Sequence, residues 1–163
     1  MDALAVEERA AIGMLDWTVN GVRLRDLLGP GSPPAETTGM VSGWDLDAAI
    51  RGLDGLAEAD AGEFDDGRAA ILVCAECGDL ECGALSLRVR IDGELVSWSE
   101  FGWQVPRVEG FEPISVPLSF TFAAPGYRSL LASLKRRLVA TSTTVPGAGR
   151  LWWRTPETTV VHI

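Results

Sequence analysis

Alternation of apolar and polar residues is strongest in "CGALSLRVRIDGELVSWSEFGW", which runs either side of Asp92-Gly93, a pair suited to a two-residue hairpin turn. Counting back from that turn pairs Ile91 with Glu94, Val89 with Val96 and Leu87 with Trp98. Leu85, Leu87, Val89, Val96 and Trp98 then share one face. Arg88, Arg90, Leu95, Ser97 and Phe101 share the other, because successive strand residues point to opposite sides. "DWTVNGVRL" repeats the device: Asn20-Gly21 supplies the two positive-φ residues of a type I′ turn, with Trp17 opposite Leu24 and Val19 opposite Val22. "RLRDLLG" predicts one helical turn closed by Gly29. "RAAILVCA" is a continuous apolar run and predicts a buried strand, and "PLSFTFA" predicts another.

Helical spacing appears elsewhere. "WDLDAAIRGLDGLAEA" places Leu46, Ile50, Leu53 and Ala57 on one stripe, with Asp45 as candidate N-cap. Gly52 and Gly55 each cost about 1 kcal/mol in a helix interior, so tertiary packing has to hold this one. "APGYRSLLASLKRRL" carries a stripe of Tyr127, Leu131, Leu134 and Leu138. Pro125 sits near its start, and Lys135, Arg136 and Arg137 read as a solvated basic helix end. Residues 2–15, with Leu4, Ile12 and Leu15 among alanines, predict a weak helix. Pro and Gly make 29–39 a loop, and 58–67 is an acidic loop.

The expected fold is α+β: a mostly antiparallel β-sheet, with hairpins at 17–24 and 84–101, and two or three helices packed on one face. Residues 1–140 read as a single globular domain, and 141–163 as linker and C-terminal tail. Residues 141–149 are rich in Thr, Gly and Pro, so high mobility is expected there. Trp152, Trp153 and "TVV" are costly to leave wet, so "RLWWRTPETTVVHI" is expected to dock. Docking as a strand on another chain's edge would make a homodimer.

A chain of 163 residues suffices for one domain with a real core. The formal charge of -9 argues against nucleic acid, whose phosphates demand a basic face, and against an anionic membrane surface. Of the basic residues only Lys135 is lysine, and the Arg, Ala and Gly content fits a GC-rich bacterial genome. "MDALAVEERAAIGML" lacks the basic start and apolar core of a secretory signal, and no apolar run approaches the roughly 20 residues of a membrane span. The cysteine count of 3 is odd and so unlike a secreted disulfide framework, which makes the cytoplasm the expected compartment.

All the cysteines lie in "CAECGDLEC", where Cys74, Cys77 and Cys82 are candidate metal ligands. Three readings are open. The thiols pack as small apolar groups at strand ends. Or they hold zinc: Cys74-Ala-Glu-Cys77-Gly78 resembles a zinc knuckle, in which two thiolates converge and Gly relieves strain behind the second. Cys82 would then be a third donor, with His162 or Asp79 as candidate fourth ligand. Or Cys74 and Cys77 form a redox pair, although no helix N-terminus follows to favour a thiolate. The loop is expected to join two adjacent antiparallel strands, Cys74 ending one and Cys82 beginning the next, with Gly78 and Gly83 in unusual backbone angles and Asp79 capping nearby N–H groups.

Other catalytic schemes lack parts. A Ser-His-Asp or Cys-His pair needs a His base, and His162 is penultimate. "GPGSPP" and "PGAGR" lack the context and the Lys of a phosphate loop. The carboxylates between 36 and 82 read as solvated surface, and their spacing singles out no acid/base couple. Trp17 and Trp98 fall on core faces. For Phe101, Trp103, Trp152 and Trp153, core or tail docking competes with anchoring a partner.

"WTVNGVRLRDLLG", followed by "ILVCAECGDLECGALSLRVRIDGELVSWSEFGWQ", resembles a family of small uncharacterised bacterial proteins, mainly actinobacterial. Its members carry a C-G-D-x-x-C-G-A loop and then a hairpin ending F-G-W. Here the matching residues are Cys77, Gly78, Asp79, Cys82, Gly83 and Ala84, then Trp98 and Phe101-Gly102-Trp103. The likeness spans about residues 15 to 104 and the helix beyond, and implies no function for any residue. The expected function is a non-catalytic binding module for a protein or small-molecule partner, with structural zinc at the cysteine loop as an option. The alternative is a thiol- or zinc-dependent enzyme acting through Cys74, Cys77 and Cys82.

Overall fold

In the computed structural model, which describes residues 1–9, 14–29, 37–41, 46–76, 78–143 and 160–161, the first segment is not a helix. It forms strand β1 (Leu4–Arg9) and the start of β2 (Met14–Val19). Alanine's helix preference is worth less than 1 kcal/mol per residue, about the scale of a weak prior. Antiparallel pairing outweighs it, running from Leu4 opposite Val19 to Arg9 opposite Met14. That register sets Val6 against Trp17 and buries both.

The Asn20-Gly21 turn forms as its chemistry requires. Both residues are left-handed, at φ 54° and 79°, and Val19 lies opposite Val22 of β3 (Val22–Arg23). Leu24, expected to prolong the ladder opposite Trp17, instead opens α1 (Leu24–Leu27), which Gly29 ends at φ 81°. Thr37–Thr38, read as loop, are strand β4, because they pair with Cys74 and Val73. Next come β5 (Met40–Val41) and α2 (Leu46–Ala57). The expected cap Asp45 and most of the 29–39 loop lie outside the described residues.

The two glycines of α2 have a packing reason. A Cβ on Gly52 would come within 3.2 Å of a Glu63 carboxylate oxygen, and one on Gly55 within 3.0 Å of the other. Glu63 is therefore laid against the helix. Burial pushes its carboxyl up from the ordinary range, partly offset by the N–H of Ala70, which donates to it at 3.1 Å.

The remaining elements are β6 (Ala69–Cys74), a 3-10 turn (Leu80–Cys82), β7 (Ala84–Asp92), β8 (Leu95–Gln104), β9 (Glu112–Pro113), β10 (Phe120–Ala123), α3 (Ala124–Thr143) and β11 (Val160–Val161). One antiparallel sheet has the order β11-β1-β2-β3, with β5 also on β2. The second has the order β10-β8-β7-β6-β4, with β9 also on β8.

The long hairpin keeps its predicted faces but not its pairs. Asp92 stays in the strand opposite Leu95, and the turn is Gly93-Glu94 with only Gly93 left-handed. Ile91 thus faces Val96, and Val89 faces Trp98. The slip is even, so Leu85, Leu87, Val89, Val96 and Trp98 still point inward and are all buried. Phe101 is a true correction, because it is core and not outer face, at 3% exposure. A bulge between Ser86 and Arg88 sets Glu100 and Phe101 together against Leu87, with Glu100 left-handed at φ 53°. The extra residue reverses the alternation beyond it.

Trp17 of one sheet and Trp98 of the other meet edge to face at 5.8 Å, and Trp98 also touches Phe122 and Tyr127. The stripe Tyr127, Leu131, Leu134 and Leu138 of α3 closes this core as predicted, joined by Leu53 and Leu56 of α2. Because α3 continues to Thr143, Lys135, Arg136 and Arg137 lie mid-helix, not at a helix end. Lys135 reaches Asp54 at 2.7 Å and Arg137 pairs with Glu8, tying α3 to α2 and β1. Two polar seams join the sheets. The Thr38 hydroxyl donates to Asp16 at 3.0 Å, and the Asp2 and Thr121 amides each donate across the gap, to the Thr121 carbonyl and the Asp2 carboxylate, at 2.8 Å. Among the described residues, no helix is long and apolar enough to cross a membrane.

Candidate functional site

The cysteine loop connects adjacent antiparallel strands, as expected. Cys74 is the last residue of β6 and half-buried, whereas Cys82 does not begin the next strand: it is exposed and ends a 3-10 turn, with Gly83 intervening before β7. The Gly78 amide donates to the Cys74 carbonyl at 2.9 Å, with Gly78 left-handed at φ 68°. Asp79 caps the following turn by accepting from the Glu81 amide at 2.9 Å, and the Gly83 amide returns to the Leu80 carbonyl at 2.7 Å. Of the predicted metal ligands, the structure thus places Cys74 and Cys82 at the two ends of this loop, with Asp79 turned to its own backbone. Cys77 and His162 lie outside the described residues. Among the described residues, no group of three or more His, Cys, Asp or Glu side chains is placed to hold a metal ion.

The F-G-W segment is brought to the loop by the β7–β8 register, which sets Leu85 opposite Trp103 and Ala84 opposite Gln104. Its three residues have three different neighbours. Phe101 packs on Phe120 in the core, edge to face at 5.9 Å. Gly102 leaves room for the Phe111 ring, which a Cβ there would meet at 2.3 Å. Trp103 lies on Gly83, where a Cβ would fall 2.5 Å from the indole. Gly83 is also left-handed, at φ 88°, so the position excludes a side chain twice over. The indole therefore braces the back of the cysteine loop. Trp152 and Trp153 are outside the described residues.

Beside this brace lies a charged lattice that the sequence reading did not find. Arg68 is buried and forms ion pairs at 3.0 Å with both Asp66 and Glu100, with its guanidinium 3.8 Å from the centre of the Phe111 ring. Arg88 reaches Asp60 at 2.7 Å and Glu100 at 3.5 Å, and Arg90 reaches Glu100 at 3.2 Å. Gln104 joins Asp66 to the buried hydroxyl of Ser86. Partial burial pushes the Glu100 carboxyl up, but Arg68, Arg88 and Arg90 outweigh it and hold it below the ordinary range. Arg88 and Arg90 on one strand face were a legible signal. The bulge that delivers Glu100 was not.

Asp66 and Glu100 are each more than a third exposed, so loss of Arg68 lets them rehydrate. Arg68→Met is expected to cost about 1–3 kcal/mol, the scale of charge-assisted hydrogen bonds, not that of a fully buried pair. The Glu100 part has a definite sign. A carboxyl lowered on folding stabilises above its unfolded pKa and loses that contribution as pH falls through its folded value. The gap between wild type and Arg68→Met in urea unfolding should narrow from neutral to acid pH; a gap independent of pH would place the stabilisation in packing on Phe111.

Comparison with known protein families, curated proteins and solved structures finds no match.

Proposed function

We propose that this chain is a non-catalytic binding module whose cysteine loop is a structural clasp, with Cys74, Cys77 and Cys82 as donors when zinc is bound. The observation that carries the reading is how the loop is built. A left-handed Gly78 follows Cys77 directly, its amide closes back on Cys74, and Trp103 braces Gly83 from behind. Such construction suits a fixed turn that presents thiolates to one ion. The fourth donor would be Asp79 or His162; Asp79 lies within the loop itself, where it caps the Glu81 amide. Zinc there would supply a cross-link between β6 and β7.

Exposure of Cys82 favours a second reading, thiol chemistry at the loop. Its neighbours argue the other way: Asp79 and Glu81 are acidic, and Arg107 is engaged by Glu81 at 3.5 Å. Metal analysis with thiol titration separates the two. The structural reading expects about one zinc per chain, and a melting temperature lowered by chelator and equally by Cys77→Ser. At this size each 1 kcal/mol lost corresponds to about 2–4 °C. One fast-reacting thiol, with melting unchanged by chelator, would transfer the assignment to the enzyme reading.

A further inference from the structure

We infer that the outer face formed by α2 and α3 is a dimer interface, and that its occupant is a second copy of this chain, with α3 of each copy laid on α2 of the other. This goes beyond the binding-module reading and does not depend on zinc at the cysteine loop.

Charge carries it. Helix α3 contains no Asp or Glu and bears Arg128, Lys135, Arg136 and Arg137, in a chain whose formal charge is -9. Lys135 and Arg137 are neutralised within the chain by Asp54 and Glu8, much as Arg23, Arg68, Arg88 and Arg90 have their own carboxylates. Arg128 and Arg136 are exposed and form no ion pair among the described residues. Eight residues apart, they stand about 12 Å from each other along one side of the helix. Ala132 lies between them and Val139 follows, both exposed, so this side is small and apolar where it is not cationic, and a second helix can approach closely.

Helix α2 offers the opposite sign. Asp47 in its first turn and Glu58 just past its end are exposed, and likewise form no ion pair among the described residues. Its one cation, Arg51, acts on the Glu63 carboxylate of its own chain. The two helices lie side by side, joined by the Lys135–Asp54 ion pair and by the Tyr127 hydroxyl, which donates to the Leu56 carbonyl at 2.7 Å. An acidic helix beside a basic one is self-complementary: a twofold axis sets the cations of each copy on the carboxylates of the other. Laying α3 on α3 would instead set Arg128 and Arg136 against their own kind. At physiological ionic strength the Debye length is about 8 Å, so negative charge elsewhere on the two copies is screened while pairs in contact keep their attraction.

The test is the solution mass of the full chain by sedimentation equilibrium at physiological salt. Wild type is expected to double in mass across the micromolar range, and to stay single in molar salt. Two charge-reversed chains, Arg128→Glu with Arg136→Glu and Asp47→Lys with Glu58→Lys, are each expected to stay single. Mixed in equal amounts they are expected to regain the dimer as a hetero-pair, since reversed cations then meet reversed carboxylates and native groups meet native ones. Should the first reversal disturb the fold, Arg128→Gln with Arg136→Gln is the second variant, expected to weaken the dimer about tenfold, the scale of four exposed ion pairs. A wild-type mass that stays single would overturn the proposal and leave the stripe to an acidic helix of another protein. A dimer that both reversed chains still form would overturn it by placing the interface elsewhere. A mixture that stays single would overturn it by removing α2 as the surface that α3 meets.

Discussion

Trp98→Ala is expected to lose about 3–5 kcal/mol in urea unfolding, the range for removing a large aromatic from a core. Net stabilities of about 5–15 kcal/mol make that roughly a fifth or more of the whole. The indole is fully buried and touches Trp17, Phe122 and Tyr127, so it joins both sheets and α3. Its N–H donates to the Tyr127 hydroxyl at 3.0 Å, which in turn donates to the Leu56 carbonyl at 2.7 Å. Burial pushes the Tyr127 phenol well above its ordinary range, so that relay keeps its proton at all physiological pH values. Removing Trp98 leaves a cavity and strands the first link of the relay. A loss under about 1 kcal/mol would mean that the sheets are joined elsewhere.

Leu87→Ala is expected to cost about 2–5 kcal/mol. Leu87 has no exposed surface, and on β7 it stands at the bulge, opposite Ala69 of β6. Two residues of β8, Glu100 and Phe101, face it together, so the neighbouring backbone is pinned and collapses poorly around a void. A change within about 0.5 kcal/mol, the surface range, would show that the inward face is misassigned.

The residues differ in how much they disclosed. Asn20-Gly21 specified its turn because only one conformation suits two left-handed residues in succession, and alternation located the inward face of the long hairpin. The pairing of that hairpin was harder to read, since Asp92-Gly93 and Gly93-Glu94 are both workable turns and differ by an even slip. Packing of Trp98 on Trp17 of the first sheet, which no local pattern contains, accompanies the turn that forms. The strand at Leu4–Arg9 was concealed by alanines, whose propensity is too weak to stand against a partner strand. Phe101 moved from surface to core through a single bulged residue. The loop around Gly78 and Gly83 was legible in outline, because glycine and Asx chemistry act locally. The Arg68–Glu100 lattice was not, because it joins residues 32 apart on the outer side of a sheet.

The seam at Asp2 bears on how such a chain matures. Asp2 exchanges hydrogen bonds with Thr121 across a sequence separation of 119. Burial is slight there, and the Thr121 amide, with help from Asn20, holds the Asp2 carboxyl below its ordinary range. During synthesis the β1–β2 hairpin can form early, but the bond from Asp2 to β10 waits until Phe120–Ala123 has been made. Contacts of such long separation slow folding, because loop-closure entropy is spent before they can form. The strand edge that β10 will later cap at Asp2 therefore stays open on the nascent chain, a period in which a chaperone that grips extended strands has a surface to hold.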